Sequence, residues 1–435
     1  MPLDAVIPVV TFVVVYIVIS FELMNKAIAA LLGVMAVLIF GVVDEHTAAG
    51  FIDYETIMLL IGMMGIVAVL KKSGFFSILT VRIAKLTGGQ PLRIMILFCL
   101  ATAGVSAVLD NVTTVLIMAP IIIELTVGMG MDPKIYVVAL AMASNLGGTA
   151  TLVGDPPNII IGTNVGLTFN QFIIYLLLPV AASTTAVISY FRSKNRVSFT
   201  PIDDNLTKLF SVQMLIEKIE FDFLSVKIDR TFLLKSIICL GIALLLFITQ
   251  TITHLTPGVV ALTVAMILFL ITRMDIETIL LEIEWSTLLF FVGLFILVGA
   301  MEEKGVIEWV ARNIFLRVGR NPYVMTLMVL WVSGIVSGFI DNIPFTITMI
   351  PIVKMMLAAH PVGHNILWWA LSLGACLGGN LTMIGASANI VSVAILKRYG
   401  HHISFVEYTR KSAPGTILSL VICSIVLTAY LWILE

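Results

Sequence analysis

Residues 146–160, Leu-Gly-Gly-Thr-Ala-Thr-Leu-Val-Gly-Asp-Pro-Pro-Asn-Ile-Ile, recur 231 positions later, at 377–391, as Leu-Gly-Gly-Asn-Leu-Thr-Met-Ile-Gly-Ala-Ser-Ala-Asn-Ile-Val. The same displacement carries Asp110-Asn111 onto Asp341-Asn342, Pro120 onto Pro351, Gly62 onto Gly293 and Gly74 onto Gly305, without a gap until the loop beyond residue 165. A chain written twice from one unit has to fold as two similar halves. Matching Gly- and Pro-interrupted hydrophobic segments in two halves mark the substrate site of many secondary transporters.

Composition names the solvent. Hydrophobic residues make up 60% of the 435 and charged residues 12%, against about 25% charged in soluble domains. The chain therefore reads as an integral membrane protein with the lipid bilayer as its surroundings. A net charge of -1 excludes nucleic acid as a partner, which demands a basic face. The four cysteines, Cys99, Cys239, Cys376 and Cys423, lie in apolar runs without metal-site spacing and read as packing residues. The opening Met-Pro-Leu-Asp has no basic stretch before its apolar run, so no cleaved signal peptide is expected.

Apolar runs place spans near 5–20, 27–43 and 56–70, with images at 236–251, 258–274 and 287–301. The stretches 92–127 and 323–358 are each long enough to cross twice but break at an Asp-Asn pair, as re-entrant hairpins would. Gly-interrupted spans at 134–165 and 365–396 and closing helices at 172–190 and 414–433 complete each half. The fold expected is all-α: two inverted repeats, 1–190 and 236–435, each of about five transmembrane helices plus a hairpin and a broken helix, joined by a polar linker at 191–235. An odd number of crossings inverts the second repeat. Basic loops at 71–93, 192–196 and 397–411 then fall on one side, which the positive-inside rule makes cytoplasmic, leaving both termini outside the cell membrane. The stretch 302–320 fits less well, being expected outside although it carries Lys304, Arg312, Arg317 and Arg320.

Chemistry belongs where charge persists inside apolar spans. Asp110 and Asp341 are such carboxylates, with Asp155 a third and no Lys or Arg expected beside them. An ionised Asp at mid-bilayer costs at least ~2.5–3.5 kcal/mol, so it faces a cavity or performs a function. Each could instead only cap the second hairpin arm. Gly147-Gly148 and Gly154, repeated as Gly378-Gly379 and Gly385, permit an unwound backbone, which membranes tolerate only inside protein or along a watery cavity. Freed carbonyls, hydroxyls at Thr149, Thr151, Thr346 and Thr382, and amides at Asn111, Asn145, Asn158, Asn342, Asn380 and Asn389 could then hold an ion. Close packing through small residues is the alternative for the glycines. Asp155-Pro156-Pro157 has no image, the matching residues being Ala386-Ser387-Ala388, and is either a turn restarting the helix or a source of asymmetry.

At these residues the chain resembles a family. Asp110-Asn111-Val112-Thr113-Thr114, the run from Asn145 to the Gly154-Asp155-Pro156-Pro157-Asn158 segment, and Asp341-Asn342-Ile343-Pro344-Phe345-Thr346 look like the ArsB/NhaD group of the ion transporter superfamily, and most like its P-protein-like permeases. The resemblance covers nearly the whole chain. It implies hairpin tips meeting broken helices at mid-membrane, a homodimer, and a substrate that is an arsenite, sodium or proton, or organic-acid species. Dicarboxylate carriers of the superfamily show Ser-Asn-Thr at the tips and arsenite permeases show Asn before Asp, so the Asp-Asn order here is most similar to the sodium/proton members. Two buried acids without an arginine also suit a dianion poorly.

The expected function is a secondary active ion transporter, coupled to Na+ or H+ and working by alternating access, with Na+ near Asp110, Asn158, Asp341 and Asn389. Arsenite efflux, and an anion or organic-acid carrier or channel, are the alternatives. No cofactor and no enzymatic activity are expected. The sequence has no Gly-Lys-[Ser/Thr] phosphate loop, leaving an associated ATPase subunit as the only route to ATP.

Overall fold

In the computed structural model, residues 5–20, 23–195, 217, 229–315 and 321–434 are described, and every regular element among them is helical. The first half contains α1 (Val6–Ser20), α2 (Lys26–Ile39), α3 (Glu45–Gly50), α4 (Tyr54–Lys72), α5 (Phe75–Thr87), α6 (Pro91–Ser106), α7 (Asn111–Gly128), α8 (Pro133–Thr149), α9 (Pro156–Val165) and α10 (Phe169–Lys194). The second contains α11 (Arg230–Ile248), α12 (Gln250–Thr253), α13 (Pro257–Thr272), α14 (Ile276–Leu280), α15 (Trp285–Glu303) and α16 (Val306–Val310). It continues with α17 (Pro322–Ser337), α18 (Asn342–Ala359), α19 (Ile366–Gly378), α20 (Ser387–Arg398) and α21 (Phe405–Leu434). The starts of α4, α6, α7 and α9 return 231 residues later as those of α15, α17, α18 and α20.

Local chemistry sets these boundaries. Pro91 and Pro322 open the first hairpin arms, where a missing backbone N–H is harmless. The turns before α5 and α16 need positive φ, supplied by Gly74 (79°) and Gly305 (71°). Among the described residues, seven helices (α4, α7, α10, α11, α15, α18 and α21) are long and apolar enough to cross a membrane.

The halves interlock. Helix α4 packs on α13 while α15 packs on α2, and α9 packs on α18 while α20 packs on α7. Each hairpin therefore leans on the broken helix of the other half. The interlock is reciprocal in detail: a side chain at Gly62 would collide with the Ala261 backbone, and a Cβ at Gly293 would lie 2.7 Å from the Cβ of Ala30. Both pairs are one pair displaced by 231 residues.

Three expectations change. The basic stretch 71–93 is not a loop, since α5 buries Phe76, Val81, Ile83 and Ala84 and leaves Arg82 and Lys85 exposed. A short amphipathic helix has too few apolar residues to register as a span. The stretch 302–320 likewise contains α16 and a π turn at Ala311–Phe315. Finally, α10 runs to Lys194 and α11 begins at Arg230, so both enter the expected linker 191–235; apart from residue 217, positions 196–228 lie outside the described residues.

Candidate functional site

Each hairpin turns at an aspartate. Asp110 caps α7, its Oδ1 accepting from the Thr113 backbone N–H at 2.8 Å, and Asp341 caps α18, accepting from the Ile343 N–H at 3.1 Å. Capping is real at both tips and leaves each carboxylate a second oxygen.

Opposite the tips, α8 and α19 end where the chain unwinds. The glycines there are required by contact: a side chain at Gly147 would strike the Ala103 carbonyl, and one at Gly378 the matching Gly334 carbonyl. Gly148 and Gly154 cross so closely that a Cβ on either would lie 2.6 Å from the other's carbonyl oxygen, and Gly379 and Gly385 repeat the crossing. Polar side chains tie down the freed backbone. Asn158 Nδ2 donates to the carbonyls of Thr149 (2.9 Å) and Thr151 (2.8 Å), and Asn389 Nδ2 to those of Gly379 (2.8 Å) and Thr382 (3.0 Å). The Thr151 hydroxyl donates to the Ala107 carbonyl and Thr382 to that of Gly338, at matched places. Thr149 and Thr346 turn back onto the carbonyls of Asn145 (2.6 Å) and Asn342 (2.7 Å).

A chain of buried amides joins the halves. Asn111 Nδ2 donates to Asn145 Oδ1 (2.9 Å) and to Asp155 Oδ1 (3.3 Å). Asn145 Nδ2 donates across to Asn380 Oδ1 (2.8 Å) and Asn389 Oδ1 (3.0 Å). Asn158 Oδ1 accepts from the Ser372 hydroxyl at 2.5 Å and from Cys376 Sγ at 3.6 Å. Asn158 and Asn389 are thus each engaged through both side-chain polar atoms by protein partners.

The open space lies on the side of the aspartates. A cavity of about 350 Å³ is lined by Asp110, Asn111, Asp155, Asn342, Glu284 and Lys26, among others. A second, of about 440 Å³, is lined by Asp341, Lys26, Ser387 and mostly apolar residues. A small one of about 90 Å³ joins Asp110 and Glu284 to the Lys71–Glu282 ion pair. Asp155 is 1% exposed and makes no cap bond to α9; its Oδ2 has no hydrogen-bond partner among the described residues. Its backbone (φ -140°, ψ 133°) nearly matches that of Ala386 (φ -149°, ψ 143°), so the carboxylate is an addition to a shared turn and makes the site asymmetric.

Of the residues singled out by sequence, Asp110, Asn111, Asp155 and Asn342 share the 350 Å³ cavity and Asp341 lines its neighbour. Asn145, Thr149, Thr151, Gly154, Asn158, Thr346, Asn380, Thr382, Gly385 and Asn389 line neither. Lys26, Glu284 and Ser387 were not anticipated, and the expectation of no cation beside the acids is corrected by Lys26. Its ammonium lies 3.4 Å from Ser387 Oγ and 5.2 Å from the centre of the Phe290 ring. Its signal, a lone lysine opening an apolar helix, is visible in the sequence, but only the fold brings that helix end to the tips.

Duplicated halves, interlocked broken helices and an acid-rich cavity at hairpin tips define a membrane transporter, which moves a small solute. The citrate transporter family matches residues 16–374, and the chain belongs to that family. An uncharacterized transporter of Mycobacterium tuberculosis is 39% identical over 99% of this chain and 98% of its own length. The P protein of Sus scrofa is 33% identical over 93% of this chain, which spans 57% of that protein. Among solved structures, the YdaH transporter of Alcanivorax borkumensis aligns over 88% of this chain and 87% of its own, at 12% identity and a TM-score of 0.49.

Proposed function

We propose that the protein is a secondary transporter of the ArsB/NhaD kind, coupled to Na+ or H+ by alternating access, in which Asp110, Asp155 and Glu284 meet the cation. The observation that carries this reading is the buried Asp155 Oδ2, which has no hydrogen-bond partner among the described residues and belongs to a residue lining a cavity with two further carboxylates. A buried carboxylate whose hydrogen-bonded neighbour is the neutral amide of Asn111 stays under-compensated as a charge, at a cost of several kcal/mol, and a proton or a bound cation removes that cost. Either one can do so, and their competition for one carboxylate is what exchange requires. Amides at Asn111 and Asn342 add oxygen ligands that suit a hard cation. The positive-inside count supports an inward-facing cavity, since its small extension ends at Lys71, and supports a cell-membrane location with both termini outside.

A second reading, transport of an organic acid such as the citrate in the family's name, is favoured by Lys26, whose ammonium makes no ion pair among the described residues. Proteoliposomes loaded with a pH-sensitive dye separate the two. Na+ or Li+ should change the internal pH under the first reading, and citrate should do so under the second. Arsenite and chloride complete the screen, and a response to either one alone would contradict both readings.

A further inference from the structure

The two tip aspartates have different neighbours. Asp341 Oδ2 accepts from the Ser387 hydroxyl at 3.4 Å, and that hydroxyl in turn accepts from the Lys26 ammonium at 3.4 Å. Displacement by 231 residues puts Pro156 in place of Ser387 and Pro257 in place of Lys26, so no such relay can exist at Asp110. Around Asp110 the cavity holds Asp155 and Glu284, both acids; Lys26 lines that cavity as well but makes no hydrogen bond or ion pair to either acid among the described residues. Among the described residues Lys26 is the only Lys or Arg lining the two large cavities, and its ammonium lies over the Phe290 ring.

We propose that Lys26 is a built-in counter-cation for Asp341: the ammonium at the start of α2 balances the second tip within the protein and leaves only the Asp110–Asp155–Glu284 side to take a cation from solution. Lys26 thereby sets how many cations the site binds. A lysine held on a helix end is permanently present, so the tip joined to it through Ser387 needs no ion, whereas the acids without that relay are incomplete until one arrives. The separation of Lys26 from Asp341 by a hydroxyl, instead of direct pairing, fits a charge that balances without locking the tip in place.

The inference rests on the cation-coupled reading above, and the test separates the two. Purified full-length protein in detergent is titrated with radioactive sodium and the ions bound per chain are counted. Lys26→Gln is expected to bind one more Na+ than the wild type, and adding Asp341→Asn to it is expected to return the count to the wild-type value. Lys26→Arg, which keeps the charge, should give the wild-type count. Lys26→Met, which keeps an unbranched side chain of similar length, serves if Lys26→Gln does not fold. An unchanged or lower count in the charge-removing variant, beside a wild type that binds Na+, overturns the role of Lys26 alone. A wild type that binds neither Na+ nor Li+ overturns the Na+-coupled reading and this inference with it.

Discussion

Around Asp110 and around Asp341 the backbone is the same and the company is not. Each aspartate caps a proline-containing helix, each tip leans on the other half's broken helix, and each break is tied by an asparagine at a matched position. Yet Asp110 looks onto Asp155 and Glu284, whereas Asp341 looks onto Ser387 and, through it, Lys26. The contrast extends to the counterpart of Glu284. Asp53 is saturated, accepting from Thr56 and Thr163 hydroxyls at 2.7 Å each, from Asn164 at 2.9 Å and from two backbone N–H groups, while among the described residues the Glu284 carboxylate accepts only from Thr287 at 2.9 Å. Duplication has kept the residues that dictate backbone shape, which are glycines, caps and carbonyl-binding asparagines, and has let those facing the cavity diverge. One scaffold made twice thus encloses a single unequal site.

The strongest way to break this comparison is through the shared scaffold. Gly147→Ala and Gly378→Ala each drive a methyl into backbone that cannot yield, so both should lose folded protein to a similar degree, at or beyond the ~1–3 kcal/mol usual for overpacking. Gly104→Ala, with nothing within 4 Å of its added carbon, is the control and should extract normally. Monodisperse yield after detergent extraction measures all three. Collapse of only one half's variant would mean that the two breaks are not equivalent.

Next comes the unequal site. Asp155→Asn should abolish Na+-dependent pH change in proteoliposomes while leaving the melting temperature unchanged or higher, because it replaces a buried ionisable carboxylate with a neutral amide of the same shape. A variant that transports at the wild-type rate would remove Asp155 from the mechanism.

A smaller effect is expected at the asparagines. Asn158→Ala and Asn389→Ala each strand two buried carbonyls, at roughly 1–3 kcal/mol per unpaired group. Asn158→Ala should cost more, since it orphans the Ser372 hydroxyl, whereas Asn389→Ala leaves Asn145 Nδ2 its bond to Asn380. Thermal unfolding in detergent ranks them, and equal losses would show that the Ser372 contact contributes nothing. Least of all, Lys71→Ala cuts an ion pair whose side chains are 52% and 30% exposed, and should shift stability by no more than ~1 kcal/mol, less at high salt.

Much of this structure is legible in the sequence because of the repeat. Gly147, Gly378, Asp110, Asp341, Asn158 and Asn389 stand out since a displacement of 231 pairs them, and hairpins and breaks occur where those pairs predict. Their division of labour is not legible, for whether Asn158 faces an ion or two carbonyls depends on a rotamer within a packed core. Lys26, Glu284 and Ser387 escape for the opposite reason. Lys26 and Glu284 lie outside the apolar motifs, Ser387 lies within one as a mismatch, and their counterparts Pro257, Asp53 and Pro156 differ, so the comparison that exposes the scaffold hides their part in the site. Only when α2 and α15 pack together do Lys26 and Glu284 reach one cavity wall.

The most direct test of the unequal site is to locate the cation. Thallium(I), a heavy monovalent stand-in, soaked into crystals of the protein should give one anomalous peak beside Asp155 Oδ2, in the cavity shared with Asp110 and Asn111, and none beside Asp341. A peak between Ser387 and Asp341, or two equal peaks related by the pseudo-twofold, would contradict it.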